Sequence, residues 1–79
     1  MKALFIGLGS VGQRHLMNFK QLMGSNVDII ACRRTNHNIL IKSGIARRVI
    51  SLKKYLGFRE INDLSQALKE RPDIVFIKV

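Results

Sequence analysis

Near its start the chain reads Gly7-Leu8-Gly9-Ser10-Val11-Gly12, a G-x-G-x-x-G spacing. It lies between a short apolar run, Lys2–Ile6, and a stretch where Val11, Leu16, Phe19, Leu22 and Met23 recur at near-helical spacing. That context constrains the fold more than any other feature. A buried strand must end, turn sharply and enter a helix within a few residues, and each glycine has its own reason there. Gly7 permits the turn out of the strand, Gly9 leaves backbone open to close approach, and Gly12 lets the helix pack tightly on the strand. Ser10 is expected to cap the helix through its hydroxyl. Unpaired N–H groups at a helix N-terminus attract anions, so the turn is expected to cradle a pyrophosphate. A glycine loop of the methyltransferase kind does not need a third glycine at the helix-packing position, so Gly12 counts against it.

The remaining pattern extends this beginning. Residues 27–32 form a second apolar run, short enough for a strand buried on both faces. A short helix is expected within 35–44, capped by Thr35 or Asn36, with Ile39, Leu40 and Ile41 as its apolar side. A further helical turn is expected within 49–55, stopped by Gly57, and a short extended piece over 58–61. Asn62 is the expected cap of a helix over 63–70 with Leu64, Ala67 and Leu68 as its stripe, and Pro72 stops it. Residues 74–79 read as a last strand. Alternation of this kind predicts an α/β fold, a truncated Rossmann-type, doubly wound parallel sheet of about three main strands joined by crossover helices. With 79 residues, the chain is expected to hold only part of such a domain, with any substrate domain absent.

Composition narrows the setting. Cys32 is the only cysteine, so no internal disulfide can form, and no cluster of Cys and His suggests a metal site. A lone cysteine in an apolar run fits a buried small hydrophobe in a reducing, cytoplasmic setting. No apolar run approaches the ~20 residues that span a bilayer, so no membrane partner is expected. The net charge is +9, and no acidic residue lies between Asp28 and Glu60. That interval holds Arg33, Arg34, Lys42, Arg47, Arg48, Lys53, Lys54 and Arg59. Such a stretch attracts phosphates, and it is equally what a fragment shows once an acidic remainder is missing.

The second apolar run ends Ala31-Cys32-Arg33-Arg34-Thr35. Roughly 20 residues past the glycines, a site for NAD usually offers a carboxylate to the ribose hydroxyls. Here Arg33 and Arg34 stand instead, and guanidinium groups pair with a 2′-phosphate that a carboxylate would repel. NADP is therefore expected to be favoured over NAD, with Thr35 adding a hydroxyl contact. Gly7, Gly9, Ser10, Val11, Gly12, Arg33, Arg34 and Thr35 make up the expected cofactor site. His15, Tyr55 and Phe58 read as packing residues, and His37 as solvated.

The segment ALFIGLGSVGQRHL over 3–16 resembles the amino-terminal segment of the glucose–fructose oxidoreductase and inositol dehydrogenase superfamily (Gfo/Idh/MocA). DLSQALKERPDIVFI over 63–77 resembles a helix and strand of the same family, and ACRR resembles its Ala-aromatic-Arg strand end. The resemblance implies NAD(P)-dependent chemistry on sugars, polyols or related small molecules. It also implies a second α/β domain that carries the substrate site and helps to form oligomers. By position, Gly7, Gly9, Ser10, Val11 and Gly12 match the dinucleotide loop, and Arg33 and Arg34 fall where the family selects its cofactor. Where that family continues with small residues into a Thr/Asn-Pro turn, Lys78–Val79 stand here. No residue matches its Glu-Lys-Pro motif, so no catalytic residue is expected within the chain and activity is expected only in a longer parent. Two other classes fit some of these features. One is a non-catalytic Rossmann module that senses a dinucleotide. The other is a small basic nucleic-acid-binding protein, disfavoured because the basic residues are not interleaved with aromatics as a stacking platform.

Overall fold

Lys2–Ile6 forms strand β1 at the centre of a parallel sheet, and its alternation sorts the interior into two layers. The computed structural model describes residues 1–33 and 37–77. From β1 the chain turns into helix α1 (Ser10–Met23), a 3₁₀ turn (Gly24–Asn26) and strand β2 (Asp28–Cys32). There follow β3 (Ile39–Lys42), β4 (Ile45–Arg48), helix α2 (Leu52–Leu56), β5 (Arg59–Glu60), helix α3 (Leu64–Lys69) and β6 (Ile74–Ile77). The main sheet has the order β5-β2-β1-β6, every pair parallel. It holds four strands rather than three, because the short extended piece at Arg59–Glu60 pairs with Ile30 and Ala31 of β2.

One face of the sheet presents Ala3 and Phe5 of β1, Ile29 and Ala31 of β2, and Ile74 and Phe76 of β6. Leu16 of α1, Leu40 of β3, and Leu52 and Leu56 of α2 cover it. Phe5 and Phe76 stack at 4.5 Å between ring centroids, and Phe19 meets both rings edge-on at 6.2 and 5.2 Å. Such aromatic contacts add about 0.5–1.5 kcal/mol each beyond the area they bury. The other face presents Leu4, Ile30 and Cys32, with Ala67 of α3 over them. Apolar residues therefore pack on both faces, which is why β1 and β2 read as continuous apolar runs rather than alternating ones.

Several local expectations are corrected. Segment 35–44 holds no helix among its described residues; 39–48 instead form an antiparallel hairpin with Leu40 opposite Arg47 and Lys42 opposite Ile45. Ser43 and Gly44 have φ of 53° and 77°, the pair of positive values that a two-residue hairpin turn requires. Consecutive Ile39-Leu40-Ile41 suits a strand with Leu40 turned to the core. Thr35 and Asn36, the expected caps of that helix, lie outside the described residues. Ser10 does not cap α1: Gly9 occupies the cap position without a side-chain hydrogen bond, and Ser10 is the first helical residue. Asp63, not Asn62, caps α3, its Oδ1 accepting from the N–H groups of Ser65 and Gln66 at 2.9 and 3.3 Å. Of the stripe expected on α3 only Ala67 is buried; Leu64 and Leu68 are exposed, because this short helix turns only Ala67 onto the sheet. Tyr55 is exposed whereas Phe58 packs in the core. Among the described residues no helix is long and apolar enough to cross a membrane.

Candidate functional site

The carboxyl end of β1 lies where the strand order reverses, between β1 and β6, since β2 and β6 flank β1 on opposite sides. In open α/β sheets ligands bind in the crevice outside such strand ends. The glycine loop lies there. The N–H of Gly7 donates to the carbonyl of Cys32 at 2.9 Å, carrying the β1–β2 ladder one residue further. Gly7 then takes φ = 91°, a conformation that side-chain-bearing residues rarely adopt.

Gly9 has an ordinary φ of −76°, so the fold does not demand glycine there on conformational grounds. A Cβ at this position would meet nothing within 4 Å, so the space before the cap is open. The Gly9 carbonyl accepts from the Gln13 N–H at 2.9 Å and starts the helical ladder. Ser10 and Val11 are exposed on the rim and Gly12 is buried in the first turn. No acidic residue lies in that turn. The N-terminus of this 14-residue helix is thus uncapped by its cap residue's side chain and unopposed by a local carboxylate, and its dipole favours an anion.

Behind the loop sits Gln13, a buried polar side chain at 2 % exposure. Its Nε2 donates to the Leu8 carbonyl at 3.1 Å and the Ile39 carbonyl at 2.9 Å, and its Oε1 accepts from the Ile41 N–H at 2.9 Å. One amide therefore joins the glycine loop to the edge of β3. Sequence reasoning missed this residue. Its one signal is its place three residues before Leu16 on the helix face that turns inward.

Arg33 follows the last residue of β2. Its Nε and Nη2 donate to the two carboxylate oxygens of Glu60, and its Nη1 donates to the His37 carbonyl at 2.8 Å. The guanidinium also lies 5.6 Å from the centroid of the Phe58 ring. Arg33 is thus anchored from several sides, and a carboxylate on β5 stands beside the arginine expected to read a phosphate. Glu60 was not singled out from sequence. The available signal was its being the first acid after a long basic interval, two residues past an aromatic. Arg34 and Thr35 lie outside the described residues.

Cys32 is buried, and its Sγ lies 3.6 Å from the Asn62 carbonyl. Desolvation, with the charge of Asp63 adding to it, raises the thiol's pKa above its ordinary value, which disfavours the reactive thiolate. Lys42, Arg47 and Arg48 of the hairpin are exposed and give it a positive surface, and Lys53 and Lys54 of α2 are exposed as well. A shallow groove of about 320 Å³ lies at the opposite ends of the strands, lined by Val27, Asp28, Lys53, Lys54 and Arg59 among others. It is away from the glycine loop, and among the described residues it holds none of the expected site residues. No family model, no curated protein and no solved structure matches the chain.

Proposed function

We propose that these residues form the front part of a Rossmann-type domain that binds a nicotinamide dinucleotide, with NADP favoured over NAD. The observation that carries the reading is the glycine loop's position at the reversal of a parallel β5-β2-β1-β6 sheet. That order corresponds to strands 3-2-1-4 of the doubly wound 3-2-1-4-5-6 arrangement. In this reading the pyrophosphate lies against Gly9 and the backbone N–H groups of Ser10, Val11 and Gly12. The open space at Gly9 and the absence of an acidic first turn fit such a group. The adenosine ribose lies toward the end of β2, where Arg33, Arg34 and Thr35 stand in place of the usual carboxylate. The parent activity proposed is that of a Gfo/Idh/MocA-like oxidoreductase acting on sugars, polyols or related small molecules. When bound, the nicotinamide supplies the hydride chemistry; the residues here bind and orient the dinucleotide, and none is assigned a catalytic role.

Titration of the chain with NADPH and NADH, followed by nucleotide fluorescence, tests this. The informative variant is Gly9→Asp. Aspartate is a better helix cap than glycine, so stability should hold or rise by about 0.5 kcal/mol. The same carboxylate would face the pyrophosphate, so affinity should fall at least about tenfold, equivalent to 1.4 kcal/mol. Absence of saturable binding, or wild-type affinity in the folded variant, would overturn the proposal. The exposed basic hairpin favours a second reading, nucleic-acid binding. Tight, steeply salt-dependent binding of DNA or RNA without dinucleotide binding would put it first.

A further inference from the structure

Arg33 and Glu60 are 8 % and 16 % exposed in their side chains, so this ion pair is largely withdrawn from water. It is also built by the fold rather than by chance contact of two long side chains. Glu60 stands opposite Ala31 in the β2–β5 register, and the Ile61 N–H extends that ladder to the Ala31 carbonyl at 3.0 Å. Phe58 lies against the guanidinium and the His37 carbonyl takes Nη1. Nε, Nη1 and Nη2 are all engaged as donors.

We infer that Glu60 is a specificity-determining residue of the nucleotide site, which restrains recognition of a ribose 2′-phosphate by neutralising Arg33. The inference rests on the dinucleotide reading above and deepens it. A phosphate monoester carries roughly −1.5 to −2 charges at neutral pH. Approaching Arg33, it meets a guanidinium whose charge is already compensated and a carboxylate that repels it. A ribose bearing only hydroxyls suffers no such repulsion, and a carboxylate accepts hydrogen bonds from hydroxyls. Glu60 thus works against the preference that arginines at the end of β2 create, and the balance between the two sets the NADPH-to-NADH affinity ratio.

The decisive variant is Glu60→Gln. Glutamine keeps the size of the side chain and its carbonyl oxygen can still accept from Arg33, while the negative charge is removed. Dissociation constants for NADPH and NADH are measured on the wild-type chain and the variant, with circular dichroism to check folding. The affinity ratio should move toward NADPH by about tenfold, a change of 1.4 kcal/mol. The double variant Arg33→Met/Glu60→Gln should lose that gain, which separates a role through Arg33 from a general change in surface charge. If both dinucleotides bind and the ratio stays within about twofold of wild type, the role of Glu60 is overturned and the dinucleotide reading survives. If neither dinucleotide binds either protein, both fall. Should Glu60→Gln fail to fold, Glu60→Ala takes its place. It too removes the negative charge, so the ratio should move toward NADPH, and an unmoved ratio overturns the inference.

Discussion

At the scale of single residues, Gln13 shows how much structure one amide can hold. A buried polar group left without a partner costs about 1–3 kcal/mol, whereas a satisfied one is close to neutral. The Gln13 amide is satisfied three times, always by main-chain groups that lack another strand to pair with: Leu8 in the loop, Ile39 and Ile41 on β3. Gln13→Leu preserves bulk and removes all three hydrogen bonds. It should therefore lower the unfolding free energy by about 3 kcal/mol in urea titration. A loss below about 1 kcal/mol would mean that water or local rearrangement satisfies those groups instead. Glycine-loop geometry and hairpin position should suffer together, because the same amide holds both.

Among the elements, the β3–β4 hairpin most clearly departs from local expectation, and its turn explains how it forms. Ser43 at φ = 53° is in the left-handed region, which asparagine tolerates and β-branched residues resist. Ser43→Asn should raise stability by about 0.5 kcal/mol and Ser43→Val lower it by about 1 kcal/mol. In a domain of this size about 1 kcal/mol shifts the melting temperature by roughly 4–8 °C, so a thermal scan resolves the pair. Equal melting temperatures would show that the turn does not limit hairpin stability. Helix α2 carries matching devices at its two ends. The Ser51 hydroxyl accepts from the Lys54 N–H at 3.2 Å, and Gly57 in the left-handed region donates its N–H to Lys53. Lys20 reaches from α1 to the Leu56 carbonyl at 2.8 Å, placing a cation at a helix C-terminus where the dipole favours it.

For the whole molecule, the scarcity of acids matters more than the abundance of bases. All five acidic residues have structural partners: Asp28 and Glu70 on Arg59, Glu60 on Arg33, Asp63 at a helix cap, and Asp73 on the Lys2 N–H. The net charge of +9 is therefore carried, among the described residues, largely by cations outside the ion pairs of Lys2, Arg33 and Arg59. The hydrogen bond from Arg59, more than any other influence, holds the carboxyl of Asp28 below its ordinary pKa. Arg59 lowers that of Glu70 as well, with Lys2 adding to it. A carboxyl lowered in the folded state stabilises the fold above its unfolded pKa, near 4, and the contribution is lost as pH falls through the folded value. The melting temperature should stay level from pH 7 to about 5 and drop below about pH 4. Arg59→Met should lower it at neutral pH and flatten the acid limb. Because Arg59 and Asp28 are each nearly half exposed, the effect should be modest and shrink in high salt. An acid limb unchanged in the variant would assign that sensitivity to other carboxyls.

Local pattern alone determined β1, the glycine turn, α1, β2 and β6, because each is specified by hydrogen bonds and apolar spacing within a few residues. The α/β class followed from their alternation, and the stop at Gly57 from glycine's access to left-handed backbone. The tertiary structure decided the rest. Arg59–Glu60 is too short to announce itself as a strand, and becomes one only because β2 offers a free edge. Ile39-Leu40-Ile41 suits either a helix or a strand until Gln13 and the core select the strand. Arg33 read alone is a free cation; its partner lies 27 residues away on a neighbouring strand. Sequence spacing encodes what a residue does to its neighbours along the chain, whereas charge compensation and buried hydrogen bonds depend on which distant segments the fold brings together.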